Sequence, residues 1–219
     1  MEVGKQRCIT YVALGDSLTV GVGASFLAPG FVAGYARLIE KELNKPVCST
    51  IYARSGSETG QVLNIVENPA LHARINQANI ITISAGGNDL INASKEFAET
   101  GEVTELTQSM KECQHNMKEI INTIHELKMK CGVPYIIYLL NLYNPLPQIP
   151  LADKWVQLFN RHLDNFANGN TIRVADIYSV FKGRQDELLS KRDHIHPNDR
   201  GYHEIAQTLI QLGYPRCFH

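Results

Sequence analysis

Two kinds of apolar pattern alternate along the chain. Ile9-Thr10-Tyr11-Val12-Ala13-Leu14 is β-branched and aromatic, apolar on both faces and stopped by Gly15, the pattern of a strand buried in a parallel sheet. Val47–Ala53, Ile80–Ser84, Pro134–Leu140 and Ile172–Asp176 read as further strands. Between them, apolar residues recur every three or four positions. Phe31, Tyr35, Leu38 and Leu43 predict a helix over 31–43, and Val62, Leu63 and Ile65 one that starts near Thr59. Others cover 69–77, 152–166 and 199–212, the last through Tyr202, Ile205, Ala206 and Leu209. The longest stripe, Met110, Cys113, Met117, Ile120, Ile121, Ile124 and Leu127, predicts an amphipathic helix over 104–130. Met110 and Met117 lie on that stripe as core filler, whereas Met129 falls off it.

Breakers punctuate these runs. Gly21, Gly23, Pro29 and Gly30 keep the segment after Ser17 from being a regular helix, and 54–60 reads as a turn. Ala85-Gly86-Gly87-Asn88-Asp89 reads as a glycine-rich loop at a strand end, and Pro145, Pro147 and Pro150 keep 141–150 out of helix. Strands alternating with helices imply right-handed crossovers and a parallel sheet covered on both faces. The expected fold is therefore α/β, a three-layer α/β/α, flavodoxin-like arrangement with a five-stranded parallel sheet in order 2-1-3-4-5, and residues 1–219 form one domain. In such sheets the site lies outside the carboxyl ends of the strands, where the strand order reverses. That puts Ser17 and Asn88 across a crevice from each other.

Composition narrows the classes of function. With 21 Lys and Arg against 22 Asp and Glu, the net charge of -1 provides no basic field for nucleic acid or an anionic membrane surface. The five cysteines are scattered, with no C-x-x-C spacing, which favours reduced thiols in an intracellular compartment over disulfides or a zinc site. Met1–Arg7 is charged and runs into the first strand, so no apolar signal core is expected there. The apolar stretch around Tyr135–Leu140 is far short of the roughly 20 residues of a membrane span. The expectation is a cytoplasmic chain with no integral membrane segment and no nucleic-acid partner.

The chemistry gathers at strand ends. Gly15-Asp16-Ser17-Leu18 presents a hydroxyl just after the first strand, and Asp193-His194-Ile195-His196-Pro197 precedes the last helix. A serine nucleophile needs a base for its proton, and the base needs an acid to fix its tautomer. Ser17, His196 and Asp193 fit those roles, and Asp16 orders the nucleophile turn. Acyl transfer also needs donors for an oxyanion. The N–H groups of Ser17 and Gly56 and the side chain of Asn88 are the candidates, while Asp89 is read as capping the helix after it.

These blocks, in this order, resemble the SGNH/GDSL family of esterases and lipases, and the likeness spans nearly the whole chain. It implies a carboxylic-ester hydrolase with no metal and no cofactor, acting on a small acyl-ester or lipid substrate. The family's D-x-x-H-P pattern selects His196 over His194 as the base. A closer likeness, to lipases of spore germination, is carried by Val20–Ala24, Leu140–Pro145, 152–155 and 180–184. It implies a lipid or (lyso)phospholipid substrate and a spore-associated location. The acyl chain is expected to lie against the segment from Gly21 to Pro29 and the loop from Leu142 to Pro147, with Val20, Gly21, Leu142, Tyr143 and Asn144 as substrate-binding residues. Two other readings stand beside this one. Gly15-Asp16, Gly87-Asn88-Asp89 and the His194/His196 pair suit a metal-dependent phosphoesterase, though no second acid follows Asp16 and no Asn-His pair follows Gly87. A non-catalytic binding module could also keep the same fold.

Overall fold

The computed structural model describes residues 8–214; the segment Met1–Arg7 and Cys217 lie outside the described residues. Strands β1 (Ile9–Gly15), β2 (Val47–Ala53), β3 (Ile80–Ser84), β4 (Ile136–Leu140) and β5 (Ile172–Ala175) form one parallel sheet in the order β2-β1-β3-β4-β5. The helices are α1 (Ser17–Val20), α2 (Phe31–Leu43), α3 (Thr59–Glu67), α4 (Pro69–Gln77), α5 (Gly87–Thr100), α6 (Val103–Met129), α7 (Pro150–Asp164), α8 (Ile177–Phe181), α9 (Gln185–Leu188) and α10 (Asp199–Gln211).

Side-chain alternation along the strands divides the core in two. Tyr11 and Ala13 of β1, with Ile136, Tyr138 and Leu140 of β4, meet Phe31, Tyr35 and Ile39 of α2 and Tyr202, Ile205 and Leu209 of α10 on one face. Val12 and Leu14, with Ile81, Ile83, Ile137 and Leu139, meet α3, α4, α6 and α7 on the other. The inner strands β1, β3 and β4 are therefore covered on both faces and read as largely apolar runs in place of an in–out alternation, whereas the edge strand β2 is partly exposed. The α6 stripe from Leu106 to Leu127 is buried along its length, and each such aliphatic side chain contributes about 1.5–3 kcal/mol.

Several boundaries differ from the sequence pattern. β4 begins at Ile136 because its ladder with β3 starts at the Ile80–Ile136 pair, two residues beyond Pro134, which has no N–H to donate. α5 begins at Gly87, so Asn88 and Asp89 belong to its first turn and not to a loop. α7 starts at Pro150, where the missing N–H costs nothing because first-turn N–H groups have no intrahelical acceptor. The one-turn helices α1, α8 and α9 are too short to generate a helical period.

The cysteines also depart from expectation. Cys8 and Cys48 form a disulfide with their Cα atoms 5.9 Å apart. They are distant in sequence, but β1 and β2 are parallel neighbours that pair Ile9 with Val47 and Thr10 with Cys48, which brings the two thiols side by side. Cys113 is free and buried, and Cys131 is free and exposed.

Candidate active site

β1 delivers the nucleophile turn. Asp16 is the N-cap of α1, and its carboxylate accepts from the Leu18 N–H at 3.0 Å. The same carboxylate accepts from the Ser84 hydroxyl at 2.7 Å, and Ser84 in turn lies 2.8 Å from the Thr19 hydroxyl. Asp16 thus orders the turn, as its position suggested. Burial pushes its pKa up, against the lowering effect of the bonds from Ser84 and Leu18. Ser84 itself was not apparent in the sequence pattern; the only signal is a hydroxyl at the last position of a buried strand, opposite Gly15 in the register.

The loop before α10 closes over this turn. Leu189 and Pro197 form an antiparallel bridge, and the Ser190 N–H donates to the His196 carbonyl at 2.7 Å. Within the loop, Asp193 accepts from the backbone N–H groups of Ile195 and His196, both at 3.0 Å. Its second oxygen lies 2.7 Å from His196 Nδ1, and His196 Nε2 lies 2.9 Å from Ser17 Oγ. Ser17, His196 and Asp193 therefore form one continuous line of hydrogen bonds. Burial would raise the Asp193 pKa, but the bonds from the Ile195 N–H, the His196 ring and the His196 N–H outweigh it and hold the carboxyl below its usual range. His194 is exposed and has a left-handed backbone, φ 55°. Gly23 lets the segment after α1 pass against this loop: a Cβ there would lie 2.5 Å from the Pro197 carbonyl oxygen and 2.9 Å from His196 Cβ.

The oxyanion candidates gather from two further strand ends. Gly56 sits in the turn after β2 with φ +83°, a conformation suited to glycine. The Arg54 N–H donates to the Gly15 carbonyl at 3.2 Å, tying that turn to the end of β1. Asn88 Nδ2 donates to the Ser57 carbonyl at 2.8 Å, one residue beyond Gly56, which fixes the amide and leaves its second N–H over. Neither the Ser17 N–H nor the Gly56 N–H donates to an acceptor among the described residues. Asp89 caps a helix other than the one the sequence suggested. Its carboxylate accepts from the Thr59 N–H at the start of α3 and from the Thr59 hydroxyl at 2.6 Å, because α5 has already begun at Gly87.

Comparison with known proteins gives the family. The profile of the GDSL-like lipase/acylhydrolase family matches residues 13–204. The chain belongs to this family. It is a serine-type carboxylic ester hydrolase acting on acyl esters. The chain is 41% identical over 208 residues to the spore germination lipase LipC of Bacillus licheniformis, covering 95% of this chain and 98% of LipC. The crystal structure of the lipase Lip_vut3 from a goat rumen metagenome is 41% identical, with a TM-score of 0.91 over 95% of this chain and 99% of that one. A variant of an acetyl-xylooligosaccharide esterase from Geobacillus, 14% identical with a TM-score of 0.69 over 95% of this chain and 97% of that one, shares the fold.

In this GDSL hydrolase the remaining candidate residues have different surroundings. Val20 is exposed at the end of α1, next to Gly21, and Leu142 lies 3.8 Å from the position of a Gly87 Cβ, beside Asn88. Tyr143 donates its hydroxyl to the Ile195 carbonyl at 2.7 Å and stacks on Phe181 at 4.5 Å, so it braces the His196 loop. Asn144 is buried, with Nδ2 bonded to Asp153 and Oδ1 accepting from the Leu146 N–H. The segment from Gly21 to Pro29 does not present all its apolar residues inward: Phe26 is 100% and Leu27 91% exposed. Among the described residues no helix is long and apolar enough to cross a membrane, and no group of three or more His, Cys, Asp and Glu side chains is disposed to hold a metal ion.

Proposed function

We propose that Ser17, His196 and Asp193 are the catalytic triad of this esterase and that the oxyanion hole consists of the Ser17 N–H, the Gly56 N–H and the Asn88 side chain. The observation that carries the reading is the unbroken line from Ser17 Oγ through His196 to Asp193. Ser17 Oγ attacks the ester carbonyl carbon while His196 Nε2 takes its proton. The carbonyl oxygen becomes an oxyanion that the three donors meet. His196 then passes the proton to the leaving alkoxide, and the acyl-enzyme is hydrolysed by a water activated in the same way. Asp193 stays ionised throughout, in keeping with its depressed pKa, and steadies the imidazolium.

For the substrate we infer a lipid or (lyso)phospholipid acyl ester whose chain runs past Val20, Gly21 and Leu142, and for the location an association with the spore. The 41% identity to LipC supports both. An organophosphonate is expected to label Ser17 covalently and stop hydrolysis of p-nitrophenyl esters, and Ser17→Ala is expected to be neither labelled nor active. Full activity in Ser17→Ala would end the reading of the triad. A phospholipid panel run beside p-nitrophenyl esters of graded length tests the substrate, and turnover confined to acetyl esters would remove the lipid.

A further inference from the structure

The loop between α1 and α2 combines two properties that rarely coincide: its backbone is fixed, and its largest apolar side chains face water. Ser25 is held by Asp199, through its N–H at 2.7 Å and its hydroxyl at 2.6 Å. Those two bonds also hold the Asp199 carboxyl below its usual pKa range. The Tyr202 hydroxyl donates to the Val22 carbonyl at 2.6 Å, and the Ala28 N–H returns to the Ser25 carbonyl at 2.9 Å. At the base of the loop Gly21 and Gly30 touch, with 3.1 Å between the Gly30 Cβ position and Gly21 Cα. Phe26 and Leu27 form the tip of this tethered loop, 100% and 91% exposed. Nothing in the fold uses them, although burying either would be favourable.

We infer that Phe26 and Leu27 insert into a lipid–water surface and dock the enzyme on aggregated substrate, an inference that rests on the lipid reading of the substrate above. Area selects the occupant. Two such side chains offer on the order of 300 Å², whereas a stable protein partner needs about 800 Å² from each side. A bilayer or micelle has no such threshold, because each inserted side chain contributes on its own, about 10- to 100-fold in partitioning. The site lies on the same loops: the segment carrying the tip leaves α1 just beyond Ser17 and packs at Gly23 against His196. Insertion of the tip therefore brings the Ser17–His196 line to the surface of the aggregate. With a net charge of -1, attraction to headgroups is not the driving force. Binding is accordingly to zwitterionic and anionic surfaces alike, and is insensitive to salt.

The test is flotation of the full chain with phosphatidylcholine vesicles, with and without added phosphatidylglycerol, at low and high salt, beside hydrolysis of a water-soluble short-chain p-nitrophenyl ester. Phe26→Ser/Leu27→Ser is expected to lower vesicle partitioning at least tenfold and leave hydrolysis of the soluble ester unchanged. Phe26→Trp is expected to blue-shift its emission on vesicles, against the background of the single native Trp155. Equal partitioning of wild type and the double variant, no blue-shift in Phe26→Trp, or binding confined to anionic vesicles and abolished by salt would overturn the inference. The catalytic reading fails separately, if the soluble ester is not turned over, and Ser17→Ala is expected to float with vesicles as the wild type does.

Discussion

At the scale of single residues, the site depends on how each polar atom is shared. Asn88 gives one amide N–H to the Ser57 carbonyl, which holds the side chain still before substrate arrives. Donors held in place in this way are worth most, because they need no reorganisation when charge develops. Asn88→Ala is therefore expected to cost about 2.7–4 kcal/mol of transition-state stabilisation, read as a fall in kcat with KM little changed. An unchanged kcat would remove the amide from the oxyanion hole. At this scale much was legible in the sequence, because serine, histidine and aspartate in fixed blocks carry their chemistry with them. Ser84 and Tyr143 were not legible in their roles. A hydroxyl at the end of β3 and a tyrosine in a proline-rich loop acquire meaning only once β3 lies beside β1 and the Tyr143 ring rests on Phe181.

At the scale of elements, the junction of α6 with α4 shows what a hydrophobic stripe conceals. Lys128 lies near the end of α6, yet it is 2% exposed and donates to the carbonyls of Asn76 at 2.7 Å and Ala78 at 2.5 Å, where α4 ends. It satisfies carbonyls that the helix cannot satisfy itself. Burial pushes its pKa down to about 8. The unfolded chain keeps that proton up to the usual lysine range near 10.4, so between the two values the unfolded state binds more protons and stability rises with pH. The advantage of wild type over Lys128→Met, from urea unfolding at pH 7.5 and pH 10, is therefore expected to grow at pH 10. A constant or shrinking gap would show that the carbonyls hold the ammonium strongly enough to offset its burial. The helical period revealed α6 because its stripe is apolar. It could not reveal Lys128, whose partners belong to a helix some fifty residues earlier, nor the start of α5, where two glycines and Asn-Asp read locally as a turn.

At the scale of the whole molecule, the sheet divides the labour between its two edges. The carboxyl edge holds Ser17, Gly56 and Asn88, each on the segment that leaves a strand, and the order β2-β1-β3-β4-β5 was foreseeable because apolar runs alternating with helical periods leave few other topologies. The amino edge carries the Cys8–Cys48 disulfide, which was not foreseeable, since the register that joins the two cysteines exists only once β1 and β2 have paired. The bridge spans 40 residues of sequence. Closing a loop of that length removes enough entropy from the unfolded chain to stabilise the fold by about 3–4 kcal/mol. Because Cys113 and Cys131 are free, a mild reductant acts on this bridge alone among the described residues. Reduction, or Cys48→Ser, is therefore expected to lower the urea midpoint while kcat/KM of the still-folded enzyme on a soluble ester stays at its wild-type value. Coincident unfolding curves with and without reductant would show that the strand pairing already supplies what the bridge adds. A loss of activity before unfolding would show that the two edges are coupled through β1, which runs from the residue after Cys8 to the residue before Asp16.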